Sequence, residues 1–317
     1  MLNSIKSNYI FQIILKEYLT KAQYYNLVRY NKNLQKKLEL NINSYKEFYQ
    51  RFFNRIEIEL WPIPSSELEL EKKYFFINRK ENKSYYNIYF DDNKNTKIDR
   101  TFITADDKVK KINIFLEMEI KELKGLFNNC ECLKEIKFTK FNRDDFTDFN
   151  NMFYGCTNLI KLDLTKFKTP NAKKLSWMFA QCKSLTKLDI TNFDTSNVTD
   201  MNMLFSGCLH LKELKFNFDT KNVINMNHMF FRCKSLMEID VSEFNTEKVR
   251  TFSAMFYECI NLVDLNLKNF NLNKKFFPSS DVYYMFGLCS DELQNKIREQ
   301  FKEINKYAFE KLLNNYF

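Results

Sequence analysis

A Phe-x-x-Cys step that returns at a nearly fixed distance constrains this chain more than any other feature. It stands at Phe127/Cys130, Phe153/Cys156, Phe179/Cys182, Phe205/Cys208, Phe230/Cys233, Phe256/Cys259 and Phe286/Cys289, with cysteine spacings of 26, 26, 26, 25, 26 and 30 residues. A period of this size marks one supersecondary unit per copy, too small to bury its own apolar face, which becomes a core only against its neighbours. The expected fold is a repeat solenoid with short parallel strands and short helices in each copy, closed by a cap at either end.

Each cysteine is followed three residues on by a leucine: Leu133, Leu159, Leu185, Leu211, Leu236 and Leu262. Next comes an apolar-polar-apolar triplet, namely Ile136/Phe138, Leu162/Leu164, Leu188/Ile190, Leu214/Phe216, Ile239/Val241 and Leu265/Leu267. Such alternation predicts a short strand with one face inward. A phenylalanine follows, then turn residues such as Asp194-Thr195, Asp219-Thr220 and Asn245-Thr246, whose side chains can bond nearby backbone. The Met/Phe-rich stretch that leads into each cysteine is predicted to be a short helix.

The unit resembles the BspA-type leucine-rich repeat, a variant of about this length known from surface proteins of bacteria and mycoplasmas and from large families in anaerobic protists. The resemblance covers about residues 109–290. It implies a leucine-rich-repeat solenoid.

Outside the copies, which fill residues 117–290, the pattern changes. Ile10, Ile13, Ile14 and Leu19, then Leu27, Leu34 and Leu38, recur at helical or near-helical spacing, with no Gly or Pro between them. Residues 1–55 therefore read as a helical head. The stretch from Lys6 to Leu38 resembles an F-box-like helical hairpin, which implies a ubiquitin-ligase adaptor as partner of residues 1–40, with Ile10, Ile13, Ile14 and Leu19 as the contacting residues. The same stretch also reads as a plain helical cap. Trp61-Pro62-Ile63-Pro64 marks the break from the head, because proline fixes φ and removes a donor. Residues 56–116 form a β-rich cap, with aromatic or branched runs at Tyr74–Ile77, Tyr85–Phe90, Arg100–Ile103 and Val109–Leu116. Such a cap would cover the open edge of the first copy. Over 291–317, Leu293, Ile297, Phe301, Ile304, Ala308 and Leu312 lie on one stripe, which predicts a C-terminal capping helix.

Composition narrows the function classes. Only four glycines are present, Gly125, Gly155, Gly207 and Gly287, each beside or inside a Phe-x-x-Cys turn. None remains for a phosphate loop or a dinucleotide fingerprint. The two histidines, His210 and His228, and the cysteines lack zinc-site spacing, so no metal or other cofactor is expected. A cysteine repeated seven times has a packing explanation, whereas a catalytic nucleophile would be singular. The chain does not read as an enzyme. Its net charge of +9 is concentrated in residues 1–55, which hold ten Lys/Arg against three Asp/Glu. That head suits an anionic surface or simply a solvated helical face, and no nucleic-acid partner is expected. No apolar run has the length of a membrane span and no signal-peptide pattern opens the sequence, so a cytoplasmic or nuclear protein with reduced thiols is expected.

The expected role is a scaffold that presents ordered columns of outward side chains to a protein partner. The middle residues of the triplets give Lys137, Asp163, Asp189, Lys215, Asp240 and Asn266. The residues before each triplet give Glu135, Lys161, Lys187, Glu213, Glu238 and Asp264. Six strands at about 4.8 Å make a face roughly 29 Å long, the size of a standard protein interface. The resemblance to bacterial relatives implies a second role, a cell-surface adhesin.

Overall fold

The computed structural model describes residues 54–312, apart from 79–81, 92, 94, 271 and 273–278. The head over 1–55, with Ile10, Ile13, Ile14 and Leu19, lies outside these residues except for its last two. From Ile56 onward the chain is one compact unit.

Six strands carry the period: β6 (Leu133–Lys140), β7 (Lys161–Asp163), β8 (Lys187–Ile190), β9 (Glu213–Phe216), β10 (Glu238–Asp240) and β11 (Asp264–Asn266). They pair in parallel and in register, Ile136 with Leu162, Leu188 with Leu214 and Ile239 with Leu265. Parallel single bridges join Asp148, Lys174, Asp200, Asn225 and Thr251 in turn, again one copy apart. Alternation decides which side chains go in: in β8, Leu188 and Ile190 are buried while Lys187 and Asp189 face out.

The interior consists of ladders with one rung per copy. The Phe127, Phe153, Phe179, Phe205, Phe230, Phe256 and Phe286 rings stack at 5.4–5.9 Å. Each cysteine thiol from Cys156 onward donates to the carbonyl of the phenylalanine one copy earlier, as Cys182 does to Phe153, at 3.1–3.2 Å. Cysteine suits the position because it packs as a small apolar group and still supplies a weak donor. The Thr169, Thr195, Thr220 and Thr246 hydroxyls donate in the other direction, to the Asp194, Asp219, Asn245 and Asn269 carbonyls, at 3.0–3.1 Å.

The short helix expected before each cysteine is not formed. That stretch runs in successive turns, with left-handed φ at Asn151 and Gly155, at Trp177 and Gln181, and at Met203 and Gly207. Phe153 N–H bonds the Met178 carbonyl at 2.9 Å and Phe179 N–H the Leu204 carbonyl at 3.0 Å. A helix would turn every N–H toward its own fourth-preceding carbonyl and leave no donor for the next copy. Turns keep alternate donors free for it. At two of these positions glycine takes the left-handed φ without strain and makes room for a neighbour's side chain: a Cβ on Gly155 would stand 2.1 Å from Asn129 Oδ1, and one on Gly207 2.3 Å from Gln181 Nε2, so those amide ends would have to move aside.

The break read at Trp61-Pro62 is likewise not a break. Strand β1 (Ile56–Pro62) runs through it, burying Ile56, Ile58 and Leu60 and ending on the proline, which has no donor to offer. With β3 (Tyr86–Phe90) and β5 (Ile112–Leu116) it forms the sheet order β3-β5-β1-β6-β7. β1 is antiparallel to β6, pairing Leu60 with Ile136 and Ile58 with Phe138, so the edge of the first copy is satisfied by a strand of the preceding segment. The short strands β2 (Tyr74–Phe75) and β4 (Phe102–Ile103) pair beside it.

At the other end, the helix expected over 291–317 is shorter: α1 spans Asp291–Gln300, capped by Ser290, whose hydroxyl accepts from Leu293 N–H at 3.2 Å. Beyond it the chain turns back. Tyr307 and Ala308 offer their carbonyls to Tyr284 and Phe286 N–H at 2.9 and 2.8 Å. These are the acceptors that a further copy would have supplied, and a continuous helix would have kept them for itself. Ile304 is partly buried, Ala308 and Phe309 are buried, and 313–317 lie outside the described residues.

Candidate interaction face of the repeats

The outward column of Lys137, Asp163, Asp189, Lys215, Asp240 and Asn266 stands on the six strands, half-buried at Lys137 and Asp163 and exposed from Asp189 on. Four of these residues also have a local task. Asp163 Oδ1 accepts from the Thr165 hydroxyl and amide at 2.8 and 3.1 Å, and Asp189 does the same with Thr191. Asp240 accepts from Ser242 N–H at 2.9 Å and Asn266 from Lys268 N–H at 3.2 Å. The Thr191 hydroxyl and amide hold Asp189 below the usual carboxylate range, as Ser242 does for Asp240. At Asp163 burial pushes upward, and the Thr165 hydroxyl and amide with Lys137 outweigh it. These side chains turn the backbone at the strand end, a task an asparagine performs equally well.

The second column is Glu135, Lys161, Lys187, Glu213, Glu238 and Asp264, exposed apart from the half-buried Glu135. Parallel register sets its members opposite one another. Glu135 binds Lys161 at 2.7 Å and Lys187 binds Glu213 at 2.5 Å. In the first column Lys137 lies 3.9 Å from Asp163. Much of the charge on β6–β9 is thus answered within the face. On β10 and β11 it is not: register places Glu238 opposite Asp264 and Asp240 opposite Asn266. Among the described residues no lysine or arginine forms an ion pair with Glu238, Asp240 or Asp264. Lys296 on α1 feels Asp264, yet its ion pair is with Glu292 at 2.8 Å.

The column reading overlooked the residue just ahead of the second column. Met237 is 60% and Val263 42% exposed, and Val263 N–H bonds the Met237 carbonyl at 2.9 Å, so two apolar side chains flank the acidic pair. The run Leu-Met-Glu-Ile-Asp, repeated as Leu-Val-Asp-Leu-Asn, already contained that signal. Gln300, the last residue of α1, joins these strands in lining one open groove together with Lys212 and Lys215.

The reactive residue types sit elsewhere and are occupied. All eight cysteines are buried free thiols, and burial pushes Cys132, Cys208 and Cys289 up to about 12. Such thiols stay protonated and are poor nucleophiles. His210 Nδ1 lies 2.7 Å from the Lys183 carbonyl, where Asn158 and Asn261 of other copies donate their amides to the Glu131 and Lys234 carbonyls. His228 packs on Phe231, and burial holds it down at about 4. Among the described residues no group of three or more His, Cys, Asp and Glu is placed to hold a metal ion, and no helix is long and apolar enough to cross a membrane.

One unit, hydrogen-bonded to its next copy again and again along the chain, defines a repeat protein. The chain belongs to the family described as Mycoplasma protein of unknown function, DUF285, whose model matches residues 96–189 and 173–300. No curated protein and no solved structure matches it.

Proposed function

We propose that this chain is a non-enzymatic protein–protein interaction scaffold, a leucine-rich-repeat solenoid of the BspA-like kind whose strand face carries the partner. One observation supports this above others: two outward columns of polar side chains are held in parallel register over an interior that repeats with little change. An ordered surface of varied charge on a uniform support is suited to selecting a protein by complementarity rather than to transforming a small molecule. The buried, protonated thiols, which are poor nucleophiles, favour the same reading.

The head, residues 1–40, is proposed as an F-box-like contact to a ubiquitin-ligase adaptor, which would make the chain a substrate receptor of protist type working in the cytoplasm or nucleus. Eight unpaired cysteines favour a reducing compartment, since disulfides persist in oxidising ones. Affinity capture with the full chain from its native cell tests these statements. Neutralising Asp163→Asn, Asp189→Asn and Asp240→Asn together keeps the strand-end bonds and is expected to lower partner yield. Replacing Ile10, Ile13, Ile14 and Leu19 by Ala is expected to remove adaptor subunits alone. Equal yields from all three chains overturn the scaffold reading, and surface labelling of intact cells would put an adhesin in its place.

A further inference from the structure

We propose that the strand face of β10 and β11 docks a cationic partner segment in which an apolar residue sits among Lys or Arg side chains. The inference rests on the strand face being the interaction surface, and it assigns that surface a place and a partner chemistry.

The outward residues of the three strand pairs differ in one respect. On β6 and β7, with the residue ahead of each, they are Lys134, Glu135, Lys137, Ile160, Lys161 and Asp163. On β8 and β9 they are Thr186, Lys187, Asp189, Lys212, Glu213 and Lys215. Both sets mix signs. On β10 and β11 they are Met237, Glu238, Asp240, Val263, Asp264 and Asn266, with no cation among them. Carboxylates directly opposite each other in a sheet repel, so the free protein keeps an arrangement that destabilises it locally. An incoming ammonium or guanidinium between Glu238 and Asp264 removes that repulsion. Arginine is the better fit, because its fork of donors can serve two carboxylates at once.

The apolar half of the argument is as local. Met237 and Val263 are adjacent through their backbone bond and exposed on the strands that carry the unanswered carboxylates. Ile160 is also exposed, at 46%, but its neighbour in the same column is Lys134. Only the last pair offers two apolar residues side by side, and methionine adapts its shape to a range of partners. A purely basic segment would leave these two in water, and a purely apolar one would bury the carboxylates without a counter-charge. A segment with both kinds of side chain satisfies both.

The test uses the full chain and a labelled short peptide that alternates Arg and Leu, read by fluorescence anisotropy. Wild-type protein is expected to bind it, and the variant E238Q/D240N/D264N to bind about tenfold more weakly or worse. The variant E122Q/E131Q/D144N removes the same number of charges from exposed positions outside both columns and is expected to bind like wild type. M237S/V263S is expected to weaken binding without altering its salt dependence. Equal affinity for the first triple variant, equal loss in the second, or equal binding of a Glu/Leu peptide overturns the proposal. Partner capture separates this from the scaffold reading. If the Arg/Leu peptide fails while strand-face variants still lose the native partner, the cationic assignment falls and the scaffold stands. If partner capture is indifferent to both E238Q/D240N/D264N and D163N/D189N/D240N, the scaffold reading falls first. A cooperative melting transition no lower than that of wild type establishes that each variant is folded.

Discussion

Within a single repeat the inner and outer faces of the same strand obey different rules. Leu188 and Ile190 point into ladders whose rungs scarcely change along the chain, whereas Lys187 and Asp189 are replaced at the next copy by Glu213 and Lys215. The inner rungs cannot vary freely, because each one completes a bond or a ring stack with the copy before it. Cys182 needs the Phe153 carbonyl, and Thr195 needs that of Asp219. An outer residue of the second column needs at most a tolerable neighbour, and Glu238 and Asp264, set opposite each other, have not even that. Freedom from structural duty is what allows a surface to be shaped for a partner.

The largest expected effect lies in the inner ladder and appears with pH. Burial holds the thiols far above their ordinary value near 9, with Cys208 and Cys289 at about 12. Above that ordinary value the unfolded chain loses thiol protons that the native chain retains. Stability is therefore fully present below about pH 9 and falls as pH rises, by about 1.4 kcal/mol per pH unit for each thiol. The loss accumulates over the buried thiols and is set against a folding free energy of about 5–15 kcal/mol for a typical domain. Circular dichroism followed from neutral to alkaline pH is expected to show cooperative unfolding near pH 10. A fold that persists well beyond pH 11 would break the claim that the thiols are built into the core.

Next in size is the contrast between two neighbours on β8. Leu188→Ala is expected to cost about 2–5 kcal/mol, as other buried leucine truncations do, against less than about 0.5 kcal/mol for Lys187→Ala. Denaturant midpoints of the two variants measure the difference, and equal midpoints would mean that the inner and outer faces are not distinct. Thr195→Val tests a single rung: it keeps the shape, removes the donor to the Asp219 carbonyl, and is expected to cost about 1–2 kcal/mol in the same measurement.

How far the sequence discloses all this depends on the distance over which a signal acts. The period, the inward leucines and the outward columns are legible because strand alternation is local and the copies repeat it. The turns before each cysteine are not, since Met201, Leu204, Phe205 and Cys208 have the three-and-four spacing of a helix. What excludes the helix is the demand of the next copy for alternate N–H groups, a tertiary fact. The truncation of the last helix at Gln300 has the same origin. By contrast, the alternation Ile56-Glu57-Ile58-Glu59-Leu60 announces β1 openly, and the nearby prolines drew attention from it. On the outer face, the Asp-x-Thr steps at Asp163 and Asp189 already signal a turn-forming task. The like-charged meeting of Glu238 and Asp264 follows once parallel register is granted.

The smallest effect examines that meeting by itself. Glu238→Lys places opposite charges in register across β10 and β11 and is expected to raise stability by about 0.2–1 kcal/mol, the worth of a cross-strand pair. Glu135→Lys makes the same chemical change at the head of the same column but sets a lysine opposite Lys161, so its melting temperature is expected to move down. Both sites lie outside the core, and neither change disturbs a strand-end bond, so the opposite signs isolate the effect of register. A double-mutant cycle of Glu238→Lys with Asp264→Asn then assigns the gain to the pair rather than to net charge. If both single changes shift the melting temperature the same way, the columns do not interact along the strands. If they diverge as expected and Glu238→Lys also loses the Arg/Leu peptide, one substitution improves the fold while removing its ligand, which is the behaviour of a residue retained for binding.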